Sequence, residues 1–149
     1  MARDADDVDH AMKRMAEPAY AIEPDLSPAE FIAVLNASGL GARRPVSNSA
    51  RIARMIAGAS LIVTARLNGT LVGVARSITD FARDLYLCDL AVDREWQGCG
   101  IGRALIARTR AEAGEECMCL LTAATEAVSY YEAIGMPRIA DAFRYPRTR

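Results

Sequence analysis

The sequence predicts a single α+β domain, and three observations predict it. Two β-rich runs, 61–67 and 70–78, meet at Asn68-Gly69, a strong hairpin signal. An apolar run over 85–92 leads into Gly98-Cys99-Gly100-Ile101-Gly102. After it, Ile101, Leu105, Ile106, Thr109 and Ala113 span about 140° of one side of a helical wheel. The 149 residues form about one domain, with no internal repeat and no break in composition.

The elements follow in order. Residues 1–18 are charged, close at Pro18 and read as a flexible N-terminal leader or short helix; 19–149 is the domain proper. A first strand spans 19–23 and stops at Pro24. Ser27-Pro28-Ala29-Glu30 opens a helix: Ser27 caps it, Pro28 suits the first turn, and Glu30 can bond back to Ser27. Phe31, Val34 and Leu35 share its inner face, and Gly39 ends it. A second helix over 48–59 carries Ile52, Met55 and Ile56 as its apolar stripe. The hairpin, the loop 79–84 and the strand 85–92 follow. Beyond the glycines come the helix 101–113, a strand 117–124 and a short helix closed by Gly135. The segment 136–149 supplies one or two last strands and a basic tail.

Composition excludes several functions. A formal net charge of −1 argues against nucleic-acid binding through bulk charge. No apolar run reaches the roughly 18 residues a membrane helix needs. The acidic N-terminus is not a secretory signal, so a cytoplasmic protein is expected. Cys88, Cys99, Cys117 and Cys119 form no CxxC pair and read as thiols in a reducing compartment. His10 is the only histidine, which removes most Ser-His and Cys-His hydrolases and any histidine-rich metal centre.

The chemistry concentrates at the glycine turn. A strand-to-helix turn with bare backbone at Gly98, Gly100 and Gly102 points free N–H groups along the positive end of the helix dipole. That is an anion site suited to phosphate or pyrophosphate. A Walker loop would end in Gly-Lys-Ser/Thr, but Gly102 is followed by Arg103-Ala104. A dinucleotide fingerprint would need G-x-G-x-x-G, and the last spacing here is wrong.

Gln97-Gly98-Cys99-Gly100-Ile101-Gly102, set between strand and helix, resembles the Gln/Arg-x-x-Gly-x-Gly/Ala signature of the GNAT superfamily of acetyl-CoA-dependent N-acetyltransferases. The stretch "SYYEAIGM" is similar to that family's Tyr-Glu-x-x-Gly-Phe segment, with Met136 in place of Phe. The resemblance implies a mixed, mostly antiparallel sheet flanked by helices, splayed between the strand before the glycine loop and the strand after its helix. It implies that Gln97, Gly98, Cys99, Gly100, Ile101 and Gly102 hold the pyrophosphate of acetyl-CoA with help from Arg103. The pantetheine arm would run beside Leu90, Ala91 and Val92, with the N–H of Leu90 or Val92 donating to the thioester oxygen.

The reaction implied is direct attack by a primary amine on the thioester in a ternary complex, with no metal. Tyr131, four residues before Gly135, matches the position of the family's acid to the leaving thiolate. Asp89 is the candidate base, with Asp84, Tyr86 and Glu23 behind it; an acid within an apolar strand is costly unless paired or at a cleft. The family pattern departs at Tyr86, where some members carry glutamate, and at Ala124, where many carry asparagine. The alternative reading is a non-catalytic CoA-binding or sensing domain. Arg43, Arg44, Arg51 and Arg54 read either as a solvated face or as a groove wall favouring an acceptor that also carries a carboxylate or phosphate. A small-molecule amine is expected rather than a protein, with no nucleic-acid or membrane partner, and a homodimer is left open.

Overall fold

The computed structural model describes residues 2–149. Helix α1 spans Ala2–Met15, and strand β1 Ala19–Ile22 follows. Helix α2, Pro28–Ser38, begins where Ser27 Oγ accepts from the Glu30 N–H at 3.1 Å and ends on Gly39. Helix α3, Ser49–Ala57, is capped by Asn48, whose side chain accepts from the Arg51 N–H at 3.0 Å. Strands β2, Leu61–Leu67, and β3, Thr70–Thr79, form the hairpin through Asn68 and Gly69, both at positive φ. Strand β4 covers Asp84–Val92, helix α4 Ile101–Ala113, strand β5 Met118–Leu120 and helix α5 Val128–Ala133.

The five strands lie in sequence order, β1-β2-β3-β4-β5. All neighbours are antiparallel except β4 and β5, which run parallel. Two cores flank the sheet. Helices α2 and α3 bury Phe31, Val34, Leu35, Ile52 and Ile56 against Ile62, Val74 and Ala91. On the other face, Ile101, Leu105 and Ile106 of α4 pack on Leu61, Val63, Val72, Ala75 and Leu87.

Two features of β4 position the site. First, its register with β3 jumps from Arg76↔Asp89 to Ser77↔Leu87, which leaves Cys88 as a bulge. The bulge switches the faces. Leu87 lies on the α4 side before it; after it Leu90 and Val92 take that side while Ala91 faces α2 and α3. Second, β4 and β5 pair only over Asp84–Tyr86 and Met118–Leu120, and then part.

Two expectations are corrected. The strand after α4 stops at Leu120 rather than at 124, because beyond that point the chain diverges from β4 and has no ladder to join. Residues 136–149 form no strand, and Phe143 and Tyr145 stay 98% exposed.

Candidate functional site

Where β4 and β5 part, a cleft of about 760 Å³ opens. Its walls come from β4 (Leu90, Val92), the glycine loop, the turn after α2 (Arg43) and α5 (Tyr130, Tyr131). The Asp93 N–H donates to the Val72 carbonyl, which makes Gly73 and Val92 a pair without mutual hydrogen bonds. By alternation Ala75 and Leu90 are another. The backbone groups of Leu90 and Val92 therefore point away from β3 and into the cleft. Ala91 does the reverse: its backbone pairs with Val74 and its side chain is buried in the α2–α3 core. The expected role of Ala91 beside the pantetheine arm is thus corrected, since the strand's alternation turns it away.

The glycine loop leaves a run of donors free. Among the described residues, the N–H groups from Gly98 through Arg103 have no acceptor within the chain; the next, Ala104, bonds the Gly100 carbonyl. Gly98 at φ 77° and Gly100 at φ 85° hold left-handed conformations that turn these groups outward. The row of N–H groups on the first turn of α4 is suited to a pyrophosphate. Gly102 has a different reason to be glycine. It is helical, and a Cβ there would lie 2.5 Å from the Tyr130 hydroxyl, so its bareness admits Tyr130. The Gln97 side chain does not face outward either: its amide donates to the Val92 carbonyl at 2.9 Å and ties the loop to the free edge of β4. Cys99 turns its thiol toward the Gln97 carbonyl and does not line the cleft; only its N–H can take part. Ile101 lines the cleft while its side chain anchors α4 in the core. Arg103 is exposed at the rim.

Tyr131 stands across the cleft from β4. Its ring is half-buried beside Leu121 and Ile134, and it meets Tyr130 edge-on at 5.2 Å between centroids. Burial pushes the Tyr131 phenol up to about 12, so it stays protonated at neutral pH.

Asp89 lies on the other side of the sheet. Its Oδ1 accepts from Arg44 Nε and its Oδ2 from Arg76 Nε, both at 2.5 Å. Arg44 also donates to the Cys88 carbonyl at the bulge, at 3.2 Å. Both carboxylate oxygens are thus taken up by guanidinium donors, and Asp89 does not line the cleft. The geometry assigns Asp89 to holding Arg44 and the bulge, which corrects its expected role as base. Of the candidates behind it, Glu23 bonds Arg66, and Tyr86 shares a hydrogen bond of 3.1 Å with Thr122.

Of the four arginines expected to wall a groove, Arg43 lines the cleft and holds both oxygens of Glu126 at 3.1 Å, while Arg44 serves Asp89. Arg51 and Arg54 do not line it. Arg94, Trp96, Tyr130 and Glu126 also line it, and sequence reasoning passed them over. Only Tyr130 left a signal, as the neighbour of Tyr131; the rest are brought in from separate turns.

A family model, described as an acetyltransferase (GNAT) domain, matches residues 34–144. No curated protein matches the sequence. Solved structures share the fold. A protein of unknown function from meticillin-resistant Staphylococcus aureus aligns at TM-score 0.72 and 18% identity, over 89% of this chain and 99% of its own. A GNAT family acetyltransferase from Streptococcus pneumoniae TIGR4 aligns at 0.70 and 16%, over 89% and 99%. An aminoglycoside acetyltransferase from an uncultured soil metagenomic sample, solved with trehalose, aligns at 0.64 and 20%, over 89% and 95%.

Proposed function

As the chain belongs to the GNAT acetyltransferase family, we propose that it moves an acetyl group from acetyl-CoA to a primary amine, by direct attack with both substrates in the cleft. The observation that carries this is the continuity of two donor sets: the free N–H groups of Gly98–Arg103 run on to the cleft-facing backbone of Leu90 and Val92. One end suits a pyrophosphate and the other an extended amide-bearing arm. Acetyl-CoA would supply the thioester. In this reading Arg103 and the loop fix the phosphates, and the N–H of Leu90 or Val92 donates to the oxygen on which charge develops. Tyr131, kept neutral by its burial, donates its hydroxyl proton toward the sulfur.

Direct attack is favoured because no cysteine lines the cleft among the described residues. The one carboxylate there, Glu126, is held below the usual range by hydrogen bonds from the backbone and from Arg43, so it is a weak base. The amine loses its proton to water at the open mouth.

The test is free-thiol release from acetyl-CoA with pooled primary amines. Acceptor-dependent release supports the reading; CoA binding without any release would leave a CoA-binding domain. Tyr131→Phe should lower kcat by about 10- to 100-fold, the low end for general acid catalysis, and leave CoA affinity intact. Unchanged kcat would remove Tyr131 from the reaction.

A further inference from the structure

Helix α1 lies apart from both cores and is held in an unusual way. Its apolar residues Val8, Met12 and Met15 form one stripe, and they are 58%, 67% and 82% exposed. The opposite edge touches the domain through two polar residues three positions apart, His10 and Lys13, the half-buried pair of the helix. The His10 imidazole stands against the glycine loop: a Cβ at Gly98 would lie 3.6 Å from its Cε1 and 3.8 Å from its Nε2. The Lys13 ammonium sits 5.6 Å from the centroid of the Trp96 ring and pairs with Asp9 at 2.9 Å. Trp96 and Gly98 both line the cleft.

This docking is not hydrophobic, because the apolar face is the one turned to solvent. A helix edge that brings an ammonium and an imidazole onto a loop of unpaired N–H groups is arranged for an anion. The acids Asp4, Asp6, Asp7 and Asp9 stay exposed.

We propose that α1 forms an additional wall of the phosphate site, with His10 and Lys13 as ligands to the phosphates of CoA, so that ligand binding and docking of α1 are coupled. This rests on the acetyl-CoA reading of the cleft. By linkage, whatever factor CoA contributes to docking, α1 must contribute to CoA affinity.

Calorimetry on the full chain tests it, with CoA and with S-acetylpantetheine, which carries the thioester arm without the pyrophosphate. The double variant His10→Ala/Lys13→Ala should bind CoA about five- to tenfold more weakly, the scale of two partly exposed polar contacts to a phosphate. It should bind S-acetylpantetheine as the parent does. Val8→Ser/Met12→Ser, on the other face, should leave both affinities unchanged. CoA should also slow tryptic cleavage after Lys13 and Arg14 in the parent chain. If the parent binds CoA and the double variant binds it equally well, α1 is no part of the site, although the acetyltransferase reading stands. An equal loss for both ligands would mean that the pair only supports the fold, and would also overturn the proposal. A parent chain that binds no CoA would instead defeat the acetyltransferase reading itself.

Discussion

Two charge clusters of opposite composition brace the sheet. In one, Arg66 on β2 serves two carboxylates, Glu23 and Glu30, at 2.9 and 2.8 Å. In the other, Asp89 on β4 serves two arginines, Arg44 and Arg76. The first lies toward the sheet's outer edge, and its three side chains are 21–44% exposed. The second is set at the β4 bulge beside the cleft, and the Asp89 side chain is 1% exposed. Water reaches every member of the first cluster, while in the second it reaches Arg44 but not the carboxylate at the centre. A cluster that water can reach is replaceable; one whose centre it cannot reach fails when a single member is lost.

The largest effect should come from Asp89→Asn. It leaves two guanidinium groups facing a neutral amide and should cost about 3–5 kcal/mol of stability, read by denaturant melts. A cost below about 1 kcal/mol would mean that the two clusters are alike after all. Arg66→Met should cost less, about 1 kcal/mol, because its partners can turn to solvent. The same cluster sets an acid limb. Glu23 and Glu30 are held below the ordinary carboxylate value of 4.5, chiefly by hydrogen bonds from Arg66. Their contribution is complete above that value and is lost as pH falls through the lowered folded values. Arg66→Met should flatten the acid limb of the stability profile, and an unaltered limb would separate the cluster from acid unfolding. Tyr131 sharpens the comparison from the alkaline side. Its folded value, about 12, lies above the ordinary 10.0, so stability is complete below pH 10 and falls as pH rises toward 12. Tyr131→Phe should remove part of that slope. The smallest effect belongs to the exposed pair Arg43–Glu126: Glu126→Gln should leave the melting temperature unchanged, and a clear drop would show a third brace.

What the sequence made legible was local. Helix α4 runs over Ile101–Ala113 as its periodicity required, and the Asn68-Gly69 hairpin forms where its turn signal lay. The free donors of the glycine loop follow from three alternating glycines at a helix start. What stayed hidden was set by partners far along the chain. Asp89 stands out in an apolar strand, but its arginines lie 45 and 13 residues away, and no pattern within β4 names them. Gly102 looked like part of an anion cradle, yet the atom that excludes a side chain there belongs to Tyr130. The last strand was read too long because apolar composition marks a segment's affinity for a sheet and not the place where its neighbour leaves it. His10 was counted as a histidine missing from a site, when the helix that carries it folds back onto the glycine loop.

Cys88 acts on β4 as a frameshift acts on a coding strand. One unpaired residue changes the parity of everything after it, so the same strand addresses the α4 core with odd positions upstream and even positions downstream. Side-chain identity at 88 therefore matters less than the presence of a residue there. Substitution leaves the parity intact. Deletion would close the bulge: Leu87 and Asp89 would become neighbours opposite Ser77 and Arg76, and Asp89, Leu90 and Val92 would keep their present faces, while the Cys88 carbonyl that Arg44 holds would be lost. What the extra residue gives the site is a bend in β4 and a carbonyl for Arg44.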